Sequence, residues 1–152
     1  MSIVDLSMNE RAKVGETISF LLDQTVRQSK LFTQRQMDQL GLNITVEQWT
    51  LLKVVAENGR ISQVDLSLKA QKDTASITRM LDLLQKKDMV RRTADDMDRR
   101  KFLISLTESG QIFFNRHTAQ MDALRSKIVE GLNDQELADL ERILERIRQN
   151  IV

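Results

Sequence analysis

The amino-acid sequence predicts a mainly α-helical fold with one small β-ribbon set into it. Three observations carry that expectation. Helix-start signatures recur at Thr45, Ser62, Asp73 and Asn133. Proline is absent from all 152 residues, so nothing forces a helix to kink or stop. One segment, Lys101 to Leu106, switches from helical spacing to strict alternation.

The first helix is expected over residues 14–40, where Ile18, Leu21, Leu22, Val26, Leu31, Phe32 and Met37 recur at irregular helical spacing before Gly41. Thr45-Val-Glu-Gln48 reads as a capping box, because the Thr45 hydroxyl can accept from the Gln48 N–H while Gln48 reaches back. That helix puts Trp49, Leu52 and Ala56 on one face, with Val55 beside them, and Asn58-Gly59 closes it. Ser62 opens a short helix through Leu66 and Leu68. Asp73 caps the next helix, where Ile77, Met80, Leu81 and Leu84 form the apolar stripe. Two short helices, the second with small polar residues and an arginine in its first turns, are helix-turn-helix organisation.

Beyond Lys86-Lys87-Asp88 the period changes. Phe102, Ile104 and Leu106 share one strand face, and Val90 to Thr93 is the expected partner strand. The charged loop between them, residues 94–100, should project as the tip of a two-stranded wing. Thr107 then caps a long helix in which Phe114, His117, Met121, Leu124 and Ile128 step 3-4-3-4. Asn133-Asp-Gln-Glu136 starts a last helix, and Leu137, Leu140, Leu144, Ile147 and Ile151 repeat that step. Each stripe suits either a helix–helix interface between chains or packing onto the chain's own first helix. The organisation is one chain, 1–152, with a winged helix-turn-helix lobe at 45–106 between helices at 10–40 and 107–152.

The net charge of +1 hides an asymmetry. From Arg60 to Lys101, eleven basic residues stand against seven acidic ones, a net of +4; the remainder is −3. A basic middle between acidic flanks suits a polyanion, although interspersed acids also fit an ordinary solvated surface.

Composition removes much chemistry. No cysteine means no disulfide, thiolate nucleophile or cysteine redox sensor, and a single histidine with no tyrosine leaves little acid–base repertoire. No G-x-S-x-G, P-loop or H-E-x-x-H occurs, so an enzyme is not expected. An EF-hand starting at Asp95 would need Gly and Glu where Arg100 and Leu106 stand. No metal or other cofactor is expected. No apolar run exceeds three residues, so no transmembrane helix is expected, and nothing near the start resembles a signal peptide. A soluble, cytoplasmic protein is the expectation.

Residues 45–110 carry a resemblance. Gln48-Trp49, Thr78-Arg79-Met80-Leu81-Asp82-Leu83-Leu84, Asp98-Arg99-Arg100 and Leu106-Thr107-Glu108-Ser109-Gly110 together resemble the MarR (multiple antibiotic resistance regulator) family of winged-helix transcription factors. The chain departs from the family pattern at Asp88, where glycine is usual, at the polar turn Ala70-Gln71-Lys72, and in lacking a wing proline. The resemblance implies a bacterial or archaeal regulator, by family habit a repressor, that dimerises through its terminal helices. It also implies a small aromatic or lipophilic effector. Trp49, Phe20, Phe32, Phe113 and Met37 are either pocket lining or plain core, and His117 is either a pH sensor or a satisfied interface residue.

Physically, these residues suit a reader of double-stranded DNA. Thr74, Ala75, Ser76 and Thr78 are small enough to let the helix enter the major groove and offer hydroxyls and methyls to bases. Arg79 suits bidentate contact with guanine or phosphate, or else pairs with Asp82. Ser62 and Gln63 can donate backbone N–H groups to phosphate, and Lys72 can add a phosphate contact. Arg99 and Arg100 would reach the minor groove, with Asp98 orienting a neighbouring arginine as the family pattern implies. A homodimer joined through Leu137, Leu140, Leu144, Ile147 and Ile151 would read an inverted repeat with half-sites about 34 Å apart. A winged-helix module that binds only proteins is the alternative.

Overall fold

The computed structural model describes residues 5–152. Its order is α1 (Met8–Gln39), α2 (Val46–Asn58), β1 (Arg60–Ser62), α3 (Gln63–Ala70), α4 (Thr74–Lys86), β2 (Val90–Ala94), β3 (Phe102–Leu106), α5 (Glu108–Ile128) and α6 (Asp134–Ile151). Two compact units divide the chain between Gln111 and Ile112. The mainly helical fold with a small β-wing is as expected.

In the first unit, α1 starts earlier than its apolar spacing suggests. Ser7 caps it: the hydroxyl accepts from the Glu10 N–H, and the Glu10 carboxylate accepts from the Ser7 N–H at 2.9 Å. This capping box starts the helix well ahead of its buried residues. Only Thr33 and Met37, near the other end, are buried. There Gln34 ties α1 to the next element, donating to the Ile44 carbonyl at 3.1 Å and accepting from the Val46 N–H at 3.0 Å.

The Thr45–Gln48 capping box forms as expected, with bonds of 3.1 and 3.0 Å. Gln48 thereby becomes buried with its side-chain oxygen and backbone N–H both bonded, and α2 also buries Trp49, Leu51, Leu52 and Val55. Leu51 is an addition to the expected face. Helix α2 lies against helix on one side and sheet on the other, so its apolar surface is broader than one stripe. Gly59 ends the helix at φ +69°, a conformation that a side chain would strain.

The wing corrects the expectation of two strands. The sheet has three antiparallel strands in the order β1-β3-β2, with Ile61 opposite Ile104 and Arg92 opposite Ile104 on the other side. Strand β1 is only three residues long and runs straight into the Ser62 cap, which leaves no room for a visible alternation. Ile104, at the centre, is fully buried, whereas Phe102 at the strand's outer end is about half exposed. The short helix through Leu66 and Leu68 forms as expected; with two turns it turns only Leu66 inward and leaves Leu68 70% exposed.

After α4, Asp88 takes up left-handed backbone geometry at φ +56°. It stands at the junction with α5. The Thr107 hydroxyl donates to the Asp88 carbonyl and accepts from the Gly110 N–H, the latter at 2.9 Å. A Cβ on Gly110 would lie 1.9 Å from the Met89 carbonyl oxygen, so this position admits glycine alone without backbone movement.

The second unit holds most of α5 and all of α6. Met121 is buried there, but Ile128 is exposed. Asn133 caps α6 with the expected capping box, its side chain 2.9 Å from the Glu136 N–H. No residue of α6 is buried.

Candidate nucleic-acid interface

Helix α4 is the centre of the site. Ile77, Leu81 and Leu84 are fully buried and fix its rotation, each worth about 1.5–3 kcal/mol of burial. That rotation leaves Ala75 and Arg79 exposed on the opposite side, and Thr74 is exposed at the start of the helix. Asp73 caps the helix, accepting from the Ser76 N–H at 2.8 Å and the Ser76 hydroxyl at 2.7 Å. The Ser76 hydroxyl, and then the Ser76 N–H, hold the Asp73 carboxyl below its usual range.

Hydroxyl chemistry on this helix is partly committed. Thr78 donates to the Thr74 carbonyl at 2.9 Å and accepts from the Gln63 amide at 2.8 Å. Gln63 therefore bridges α3 to α4 with its side chain, while Ser62 accepts from the Asp65 N–H at 3.1 Å to cap α3. Between these helices Gln71 turns left-handed at φ +51°, and Lys72 is half-buried beside it.

Arg79 does not pair with Asp82. Its Nε lies 3.4 Å from the Ala75 carbonyl in its own helix, a long contact that leaves the side chain exposed. Asp82 instead accepts from Arg92 at 2.6 Å. Arg92 also donates to Gln85 at 3.0 Å and to the Thr78 carbonyl at 3.1 Å, and its side chain is only 18% exposed. It fastens β2 to α4, and so the wing to the exposed helix face. Arg92 was not among the expected site residues. The signal was the strand period: Arg92 shares a face with buried Val90, and an arginine on an inward face needs partners.

The wing tip is bonded rather than loose. Asp95 N–H donates to the Lys101 carbonyl and Lys101 N–H to the Asp98 carbonyl, both at 2.9 Å. Asp98 accepts from the Arg100 N–H at 3.1 Å and from its Nε at 3.2 Å. Arg100 stays extended into solvent, with its side chain 92% exposed, and Arg99 is exposed beside it. A groove of about 1150 Å³ runs between α3, α4 and the sheet, bordered by Gln63, Thr74, Thr78, Arg92 and Arg100. One lobe thus carries Ser62, Gln63, Lys72, the α4 outer face and the wing arginines. Among the described residues no cluster of three or more His, Cys, Asp or Glu could hold a metal ion.

The aromatic candidates separate. Trp49 and Met37 belong to the core of the first unit, whereas Phe20 is 64% exposed on α1. His117 Nδ1 lies 2.8 Å from the Gln120 amide oxygen, and its ring rests at 4.8 Å from Phe113. It is a locally satisfied histidine.

The MarR family model matches residues 44–102, which is this lobe without its flanking helices. A mutant Escherichia coli MarR crystallised with operator DNA has the same fold, with a TM-score of 0.79 over 86% of this chain and 93% of that one, at 25% identity. Residues 44–102 are thus a MarR-like lobe, and the chain as a whole is similar to MarR-family regulators. Its curated relatives include the homoprotocatechuate degradative operon repressor of Escherichia coli, 29% identical over 68% of this chain and 70% of that protein. The regulator FarR of Neisseria gonorrhoeae is also 29% identical, over 67% and 70%. Among the described residues, no helix is long and apolar enough to cross a membrane.

Proposed function

We infer that this chain is a sequence-specific, double-stranded-DNA-binding transcriptional regulator, a repressor that binds an inverted repeat as a homodimer. One observation carries the reading: the buried stripe of α4 turns Ala75 and Arg79 outward, with Thr74 exposed at the helix start, on the same lobe as the Asp98-braced Arg100. Likeness to a MarR bound to operator DNA supports it.

The roles follow from the chemistry. Arg79, with Thr74 and Ala75, would meet base edges, and Ser76 and Thr78 would line the approach with their methyl and methylene surface. Ser62, Gln63 and Lys72 would set the register on phosphates. Arg99 and Arg100 would enter the minor groove, held by Asp98. Residues 45–106 form the reading lobe, and the helices at 10–40 and 107–152 supply dimerisation, with Leu137, Leu140, Leu144, Ile147 and Ile151 as the seam on α6. A small aromatic or lipophilic effector would release the dimer by favouring a different spacing of its two reading lobes. The setting is the cytoplasm, where the DNA is, and the reading assigns no enzymatic activity.

Selection of duplex DNA from a random pool at about physiological salt tests this. An inverted repeat with half-sites near one helical turn (~34 Å) apart is expected. Arg79→Ala and Arg100→Ala should each weaken the selected site about 5- to 150-fold while leaving the dimer intact. A folded dimer that enriches no sequence, or unchanged affinity in both variants, would refute the reading.

A further inference from the structure

Six of the seven residues from Asp95 to Lys101 are charged, and Met97 is the seventh. It is 94% exposed. One exposed apolar side chain is ordinary on a protein surface. What sets Met97 apart is how it is presented. Its N–H donates to Asp95 Oδ1 at 2.9 Å, and the loop is closed beneath it by the bonds of Asp95 and Lys101. The backbone therefore holds the thioether outward at the apex, two and three residues from the exposed Arg99 and Arg100.

Charge makes the apolar group consequential. The loop has three acids against three bases, so it is neutral overall. Asp95 and Asp98 spend an oxygen each on backbone N–H groups, but Asp96 is exposed and would repel phosphate. Ionic attraction at this tip is therefore weak for a minor-groove element, and a non-ionic contact is what the tip has left to add. Methionine is unbranched and polarizable, and is among the side chains that wedge against base steps from the minor groove. Such a wedge costs least at pyrimidine–purine steps, which unstack easily.

We propose that Met97 is a specificity-determining residue of the wing: an apolar wedge beside Arg100 that selects flexible pyrimidine–purine steps flanking each half-site. The proposal rests on the DNA-reading function above and adds a second, shape-based layer to it. Its contribution is largely independent of salt, because no counterion is released when a thioether meets a base step.

The test repeats the selection with wild-type protein, Met97→Gln, Met97→Ala and Met97→Leu, all full-length. Wild type and the leucine variant should enrich TA or CA/TG steps outside the half-sites by about fivefold or more over other steps. Gln, similar in length but polar, and Ala should lose that flank preference while retaining the half-sites. The slope of affinity against salt should stay as in wild type for Met97→Gln, whereas Arg100→Ala lowers it by about one. Half-site enrichment without any flank preference in wild type would overturn the wedge and leave the DNA-reading function standing. So would the same flank preference in all four proteins. No enrichment by wild type would remove the proposed function and the wedge with it.

Discussion

Helices α4 and α6 are both strongly amphipathic, yet they end differently. Helix α4 places Ile77, Leu81 and Leu84 at zero exposure within its own chain. Helix α6 buries nothing, and Leu140, Ile143 and Leu144 remain 44%, 45% and 38% exposed. A stripe that is satisfied internally fixes a helix and frees its other face for a ligand. A stripe left open asks for another surface. The same sequence pattern, apolar at 3-4 spacing, does not say where its partner lies.

The largest effect is expected where the stripe is open. Leu144→Asp should convert the dimer to monomers by sedimentation or light scattering. Specific DNA affinity should fall by at least about 100-fold, since one half-site contact set is lost and each mismatched base pair alone costs about 1–3 kcal/mol. Because the residue is exposed within the single chain, the monomer should keep its helical signal. A variant that stays dimeric would show that α6 is not the seam.

Leu81→Ala makes the converse change. It hollows a filled site, so stability to denaturant should fall by about 2–5 kcal/mol with the dimer preserved under native conditions. If instead stability hardly moved while dimerisation failed, the two stripes would have been assigned the wrong way round.

The elements that were legible in advance are those fixed by local chemistry. Thr45, Ser62, Asp73 and Asn133 all cap helices, because an N-cap is a bond between residues three apart in the chain. Asp88 adopts its left-handed turn for a similarly local reason. What stayed hidden depends on distant neighbours. Strand β1 exists because β3 offers it an edge, and its three residues carry no period of their own. Leu51 is buried because α2 is covered from two sides. At the site, the exposed outer face of α4 and the Asp98–Arg100 pair were readable from spacing and motif, but the Arg92 fastening to Asp82, Gln85 and Thr78 was not. Ser7 is a different case: its bond to Glu10 is local, but it lies ahead of the first apolar residues that drew attention to the helix.

The smallest effect is expected at the start of α4. Asp73 accepts two bonds from Ser76, and its carboxyl is held below the usual value, first by the Ser76 hydroxyl and then by the Ser76 N–H. A depressed folded value means the ionised form is favoured by folding. Its contribution is therefore present above the unfolded value of about 3.9 and is lost as pH falls through the lower folded one. Asp73→Asn keeps a capping oxygen but cannot ionise, so the stability difference between wild type and this variant should be constant from pH 5 to 8 and shrink as pH drops below about 4. Denaturant titrations of both proteins across that range check the sign. A difference that grew on acidification would mean the carboxylate is not stabilised by Ser76 in the folded chain. Because Asp73 lies outside the proposed α6 seam, the oligomeric state of both proteins should respond identically, which would separate the local cap of α4 from the proposed interface.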